Sequence, residues 1–236
     1  MGTFGVPPTP LRIVLFDFDG TLVDSRAVIV AALRNALDGV GVAHDHHDDD
    51  VLAGHIGVPL PRLFPELGVD AVQAPAAVAH FQSHFREHGA AATAPFPGIE
   101  AMLDELAAHG LTLGVATAKP EHVAMHVLQH LGWDARFAVV AGANEDETGG
   151  DKDAVIGQAL DRLSVAAPRQ VEPSDVVMVG DRAGDVVGAR HHGIDAIGVT
   201  WGFGTREELT DAGPSAIADT VAELGRLLAQ RAGLRT

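Results

Sequence analysis

The stretch Ile13-Val14-Leu15-Phe16-Asp17-Phe18-Asp19-Gly20-Thr21-Leu22-Val23-Asp24-Ser25 decides how this chain is read. An apolar run, Leu11–Phe16, stops abruptly at two aspartates. Its length and bounding are those of a strand buried on both faces of a parallel sheet. Period-two alternation then sets Asp17 and Asp19 on one side of the chain, with Phe18 opposite. Two carboxylates held close together repel unless a cation or a shared proton intervenes. An Asp-x-Asp pair alone also ends ordinary strands in solvated acids. The full string, with Gly20, Thr21 and Asp24 behind it, points to a metal gathered at the strand end.

Working outward, the chain first turns helical. Ser25 is positioned to cap a helix over residues 27–37, which Gly39 and Gly41 end. The tract His44-Asp45-His46-His47-Asp48-Asp49-Asp50 has two readings. One is metal binding; the other, which is favoured, is a solvated loop whose last acids suit the start of the next helix. A turn-rich loop at residues 54–61 precedes a short apolar segment with Leu63, Phe64 and Leu67. Residues 70–88 read as an Ala-rich helix burying Val72, Val78, Phe81 and Phe85, with Pro75 as a possible true start. No strand is expected between residues 25 and 94.

Pro95-Phe96-Pro97-Gly98 breaks the pattern. Beyond it, expected helices at 99–109, 120–131, 152–163, 183–192, 206–211 and 221–230 alternate with strands at 111–116, 137–141, 176–179 and 194–199. With the first strand that makes five. The alternation implies an α/β fold, a Rossmann-like, doubly wound parallel sheet. Such sheets bind ligands beyond the carboxyl ends of their strands. The residues found there are Asp17 and Asp19, Thr117, the approach to Lys152, and Gly180-Asp181. Each alone has an ordinary structural role; four on one edge suit phosphoryl transfer. A carboxylate can attack phosphorus and split the reaction into two easier steps. Hard oxygen donors from Asp17, Asp181 and a backbone carbonyl suit magnesium. Thr117 and Lys152 can hold phosphoryl oxygens, and Asp19 can exchange protons.

Composition narrows the classes. At 236 residues with 47% hydrophobic side chains the chain can build a substantial core. The absence of cysteine excludes disulfides, thiolate metal sites and a cysteine nucleophile. The net charge of −16 argues against nucleic acid or an anionic membrane as partner, but not against a small anionic phosphorylated substrate held beside a cation. Residues 1–10 read as a loose Pro-rich leader rather than a signal peptide, and no apolar run approaches a membrane span. The expected location is the cytoplasm, as a monomer or homodimer.

At these residues the chain resembles the haloacid dehalogenase-like hydrolase superfamily, in its phosphatase branch. The family's Asp-x-Asp-Gly-Thr-hydrophobic motif matches residues 17–22. A strand ending in Thr matches Gly114-Val115-Ala116-Thr117, the lone Lys matches Lys152, and Gly-Asp-x3-Asp matches Gly180, Asp181 and Asp185. The resemblance implies Asp17 as nucleophile and Asp19 as acid/base. It implies magnesium on Asp17, the Asp19 main chain and Asp181, with Gly20 and Asp185 in support and Thr117, Ala118 and Lys152 around the phosphate. It also implies a discontinuous core, residues 1–24 and 95–236, with residues 25–94 as a helical cap. Gly57-Val58-Pro59-Leu60 and Thr200-Trp201-Gly202-Phe203-Gly204 resemble phosphoglycolate phosphatase-like and nucleotidase-like members. Thr117-Ala118-Lys119 departs from the frequent Thr-Asn-Lys, and the acidic segment 142–150 lacks the commoner Lys-Pro. Arg62 is the cap residue expected to reach a substrate carboxylate or second phosphate, with His55 and Arg26 as further cap candidates. The implied activity is a phosphoglycolate phosphatase-like monoesterase. The alternatives are a nucleoside 5'-monophosphate phosphatase, a sugar-phosphate mutase, a dehalogenase, against which Asp19 and Asp181 argue, and a catalytically silent binding module.

Overall fold

A computed structural model describes residues 11–43, 48–166 and 170–234. The proposed leader at 1–10 and His44–His47 lie outside the described residues. The chain opens with β1 (Ile13–Phe16) and the short β2 (Val23–Asp24). Then come α1 (Arg26–Gly39), α2 (Asp49–Gly54), α3 (Leu60–Glu66), α4 (Ala74–Ala92) and β3 (Ala94–Pro95). It continues through α5 (Ile99–Ala108), β4 (Thr112–Pro120), α6 (Glu121–His130), β5 (Val139–Ala143), α7 (Lys152–Ala166), β6 (Val176–Gly180) and α8 (Ala183–His191). It ends with β7 (Asp195–Val199), α9 (Arg206–Ala212), β8 (Ala216–Ala218) and α10 (Val221–Arg231).

Among the described residues the main sheet has six strands in the order β5-β4-β1-β6-β7-β8, all parallel. β1 is central: Phe16 pairs with Val115 on one side and Val179 on the other. Its side chains divide by parity. Val14 and Phe16 join one hydrophobic core, Ile13 and Leu15 the second core across the sheet. That is why the run is apolar throughout. The strand order reverses at β1, so the edge beyond β1 and β6 is the natural ligand crevice.

The sheet holds a sixth strand that the alternation did not announce. Ala216-Ile217-Ala218 is three residues long and only half-buried, too short to show a period. Strand β5 also lies later than expected, at Val139–Ala143.

The four helices α1–α4 form the insertion. The acids Asp48–Asp50 do begin a helix: Asp48 accepts from the Val51 amide at 2.8 Å, and Asp49 and Asp50 fill the first turn of α2. Pro75 marks the true start of α4. Val72 therefore precedes the helix and is 89% exposed, contrary to the expectation of burial. The junction is not purely helical. Val23–Asp24 and Ala94–Pro95 pair antiparallel, so both chain crossings into the insertion run through one two-stranded ribbon.

Candidate active site

Adjacent parallel strands deliver their carboxyl ends to one edge. Asp17 follows β1 and Asp181 follows β6, and the first turn of α8 brings Asp185 beside them. All three are buried, and each offers a carboxylate oxygen within 4.8 Å of the other two. Lys152, the first residue of α7, pairs with Asp17, stands 2.7 Å from Asp185 Oδ1 and donates to the Ala116 carbonyl at 3.3 Å.

Three acids and one ammonium leave this buried cluster with excess negative charge. Burial pushes the Asp17 carboxyl up to about 8; Lys152 opposes this, while Asp185 and Asp181 add to it. Burial likewise raises Asp181 to about 6, with Asp185 adding. Burial alone would lower the Lys152 ammonium, but Asp17 and Asp185 outweigh it and hold the group above its ordinary value. A hard divalent cation relieves this frustration. The donor set of three buried carboxylates fits a hard cation such as magnesium.

Asp181 is aimed by its surroundings. Thr21 Oγ1 donates to its Oδ1 at 3.2 Å, and the Phe203 amide to its Oδ2 at 2.7 Å. Gly20 turns beneath it at φ +86°, and a Cβ there would lie 2.4 Å from Asp181 Oδ2. A Cβ on Gly202 would collide equally closely. The Gly202-Phe203-Gly204 loop is thus shaped to lie against the acid.

Asp19 faces elsewhere. Its carboxylate accepts from Ser25 Oγ at 2.5 Å and pairs with Lys119 Nζ at 2.9 Å. Ser25 does sit at the start of α1, but its hydroxyl serves Asp19 and makes no cap hydrogen bond. Lys119 lies 4.1 Å from the centroid of the Phe85 ring on α4, so it touches core acid and insertion together.

A cavity of about 520 Å³ opens between sheet edge and insertion. Asp17, Asp19, Thr117, Ala118 and Lys119 line its core side, and His55, Phe81, Gln82 and Phe85 its insertion side. Thr117 is buried, accepts from the Lys119 amide at 3.2 Å and does not cap α6, where Pro120 holds that position.

The comparisons with known proteins agree with this geometry. The haloacid dehalogenase-like hydrolase family model matches residues 14–199. The chain belongs to that family. The chain is 36% identical over 92% of its length, and 72% of the relative's, to a Mycobacterium tuberculosis protein named tyrosine-protein kinase PtkA. It is 35% identical to a Pseudomonas aeruginosa 5'-nucleotidase, over 91% of this chain and 94% of that one. The crystal structure of a predicted phosphatase from Clostridium acetobutylicum superposes with a TM-score of 0.86 at 32% identity, covering 94% of this chain and all of the other. The protein is a haloacid dehalogenase-like phosphatase.

Within this phosphatase, not every expected residue reaches the cavity. Arg62 does not. On α3, Leu60, Leu63 and Phe64 take the buried face, and Arg62 points outward to an exposed pair with Asp151 at 3.1 Å. It lines a separate cleft beside Lys152. Arg26 pairs with Asp50 on the insertion surface. His55 lines the cavity. Three contacts escaped the motifs. Lys119 holds Asp19, and its position two residues after Thr117 on the same edge was the available signal. Arg182, next to Asp181, donates through Nη1 to the carbonyls of Gly54 (2.9 Å) and Ile56 (2.8 Å) on the insertion. Gln82 of α4 donates to Glu147 at 3.0 Å. No sequence pattern announced the last two.

Proposed function

We propose that this phosphatase hydrolyses phosphate monoesters of small metabolites through an aspartyl-phosphate on Asp17, with magnesium bound. The observation that carries the reading is the division of the aspartates. Asp17 lies among buried acids that need a cation, whereas Asp19 lies apart between two hydrogen-bond donors. Asp17, Asp181 and the Asp19 main-chain oxygen are the protein ligands in this reading, with Asp185 beside them. The cation supplies charge neutralisation of the phosphate dianion against the attacking carboxylate.

A carboxylate oxygen of Asp17 attacks phosphorus, and the bond to the ester oxygen breaks. Asp19, with Lys119 and Ser25 donating into it, passes a proton to the departing alcohol. Water then attacks the aspartyl-phosphate, giving its proton to Asp19, and inorganic phosphate leaves. Thr117, the Ala118 backbone and Lys152 hold phosphoryl oxygens and offset their charge. Residues 25–94 act as a cap that excludes water and contacts the leaving group. Phosphoglycolate and nucleoside 5'-monophosphates are the first substrates to test. The 5'-nucleotidase relative supports the second.

The test is release of inorganic phosphate from a panel of monoesters, with magnesium and with EDTA. Phosphate release that EDTA silences and magnesium restores is expected. Release indifferent to EDTA removes the metal from the reading, and transfer of phosphate to a second alcohol in place of water removes hydrolysis.

A further inference from the structure

Glu147 is a buried acid for which the reaction above has no use. It is 5% exposed, yet it lines the same cavity as Asp17 and Asp19. Its backbone is left-handed, φ +66°, the one such non-glycine among the described residues. An ordinary side chain rarely adopts that conformation, which persists only where neighbours over-determine it. Here they do. The Asn144 amide donates to Thr148 O at 2.9 Å, and Asp146 Oδ1 accepts from both the Thr148 amide and hydroxyl, at 3.1 and 2.6 Å. The loop spends strain and hydrogen bonds to present one carboxylate.

Among the described residues that carboxylate has a single hydrogen bond, to Oε1, from Gln82 Nε2. Gln82 also reaches the Glu145 carbonyl at 3.2 Å, so its amide is anchored from the core. Burial raises the Glu147 carboxyl above its ordinary value, against Gln82, Lys119 and His122. A second oxygen remains for a donor arriving in the cavity.

The rest of the wall says what arrives. Phe81 and Phe85 stack with ring centroids 6.3 Å apart and planes 16° from parallel. Ile29, Leu33, Leu63, Val123 and Met125 extend the apolar lining. A cavity of about 520 Å³ is far more than a two-carbon acid fills, and lies within the ordinary range for ring-sized ligands. Arg86, exposed at the rim, and Lys119, buried and paired with Asp19, are cations in that wall, while the 144–148 loop presents an acid.

We propose that Glu147, with Gln82 and the Phe81–Phe85 wall, is a leaving-group subsite selecting phosphate esters of ring-bearing alcohols that carry a hydroxyl or amino donor, and rejecting leaving groups that end in a carboxylate. This rests on the phosphatase reading of the same site. The physical ground is asymmetric. A donor gains a charge-assisted hydrogen bond in a mostly apolar cavity, whereas a carboxylate set against Glu147 meets like charge.

The experiment compares kcat/KM of the full chain with magnesium on adenosine 5'-monophosphate, phenyl phosphate and phosphoglycolate, for wild type and Glu147→Gln. Wild type is expected to favour the nucleotide over phosphoglycolate by about tenfold or more. Glu147→Gln should cost the nucleotide about tenfold, change phenyl phosphate, a ring without a donor, by less than twofold, and leave phosphoglycolate equal or better. An equal loss on all three esters makes Glu147 a structural tie and overturns the proposal. So does a wild-type preference for phosphoglycolate, a result that needs no variant and leaves the phosphatase reading standing. Absence of phosphate release from every ester overturns both.

Discussion

Lys119 Nζ lies 2.9 Å from Asp19 Oδ2, and both side chains are almost wholly buried. The same ammonium rests on the Phe85 ring of α4. The group that faces the proposed acid/base is therefore in contact with the helical insertion. Removing one member of a buried pair strands the other, at a cost of about 3–5 kcal/mol. Lys119→Met should lower kcat about a hundredfold, the order that a positioned acid/base supplies, while magnesium affinity, which in the proposed reading rests on Asp17, Asp181 and the Asp19 main-chain oxygen, stays put. Steady-state kinetics with a magnesium titration checks both halves. A kcat within threefold of wild type would show that Asp19 works without its cation.

Asp17→Asn keeps the shape of the side chain and removes its nucleophilic charge. Turnover should fall on the order of 10⁴-fold or more, as for other lost nucleophiles. Phosphate release by freshly purified variant is the measure. Near-normal activity would reassign the nucleophile.

Metal binding should depend on pH with a definite sign. Burial raises Asp17 to about 8 and Asp181 to about 6. In the metal-free protein both hold protons more tightly than in the unfolded chain. Their contribution to stability is therefore full at low pH and is lost as pH rises through those values. Magnesium has to displace the same protons, so its apparent affinity should rise by about tenfold per pH unit for each proton displaced. Melting curves at pH 6, 7 and 8 should show the gap in Tm between magnesium-saturated and metal-free protein widening with pH. A gap that stays flat would mean these carboxyls titrate normally.

Arg182 joins the carboxylate edge to the insertion. Its guanidinium donates to Gly54 O and Ile56 O and pairs with Glu208 at 3.1 Å, while its neighbour Asp181 sits in the carboxylate cluster. Arg182→Ala leaves two insertion carbonyls without these donors. KM should rise about tenfold, with kcat falling less, since each such bond is worth roughly 1.5–3 kcal/mol and partly serves closure. A change in kcat alone would place Arg182 in the chemistry rather than in holding the insertion.

Much of the site was legible because its parts obey local rules. An apolar run between polar neighbours reads as a buried parallel strand, and residues that follow such strands share an edge. Asp17 and Asp181 follow from that, Thr117 lies at the same edge but inside β4, which runs on to Pro120, and Lys152 and Asp185 open the helices behind. Arg62 lies outside the main cavity for an equally physical reason. Short helix α3 turns Leu60, Leu63 and Phe64 inward, and a residue two positions from Leu60 necessarily points elsewhere. Val72 was misplaced because the helix begins at Pro75's turn, after it. Ala216–Ala218 escaped because three residues are too few to show a period.

What the amino-acid sequence determined on its own is the fold class and the sheet edge at which Asp17, Asp181 and Asp185 gather, since strand periodicity and helix alternation are local properties. What tertiary structure alone decided is who faces whom. Lys119 turned to Asp19, Arg182 reached the carbonyls of a loop 126 and 128 residues away in sequence, and Glu147 met Gln82 across the cavity. Such contacts depend on how the insertion settles on the sheet. That is fixed by packing and loop strain summed over the whole chain, and no local window carries the sum.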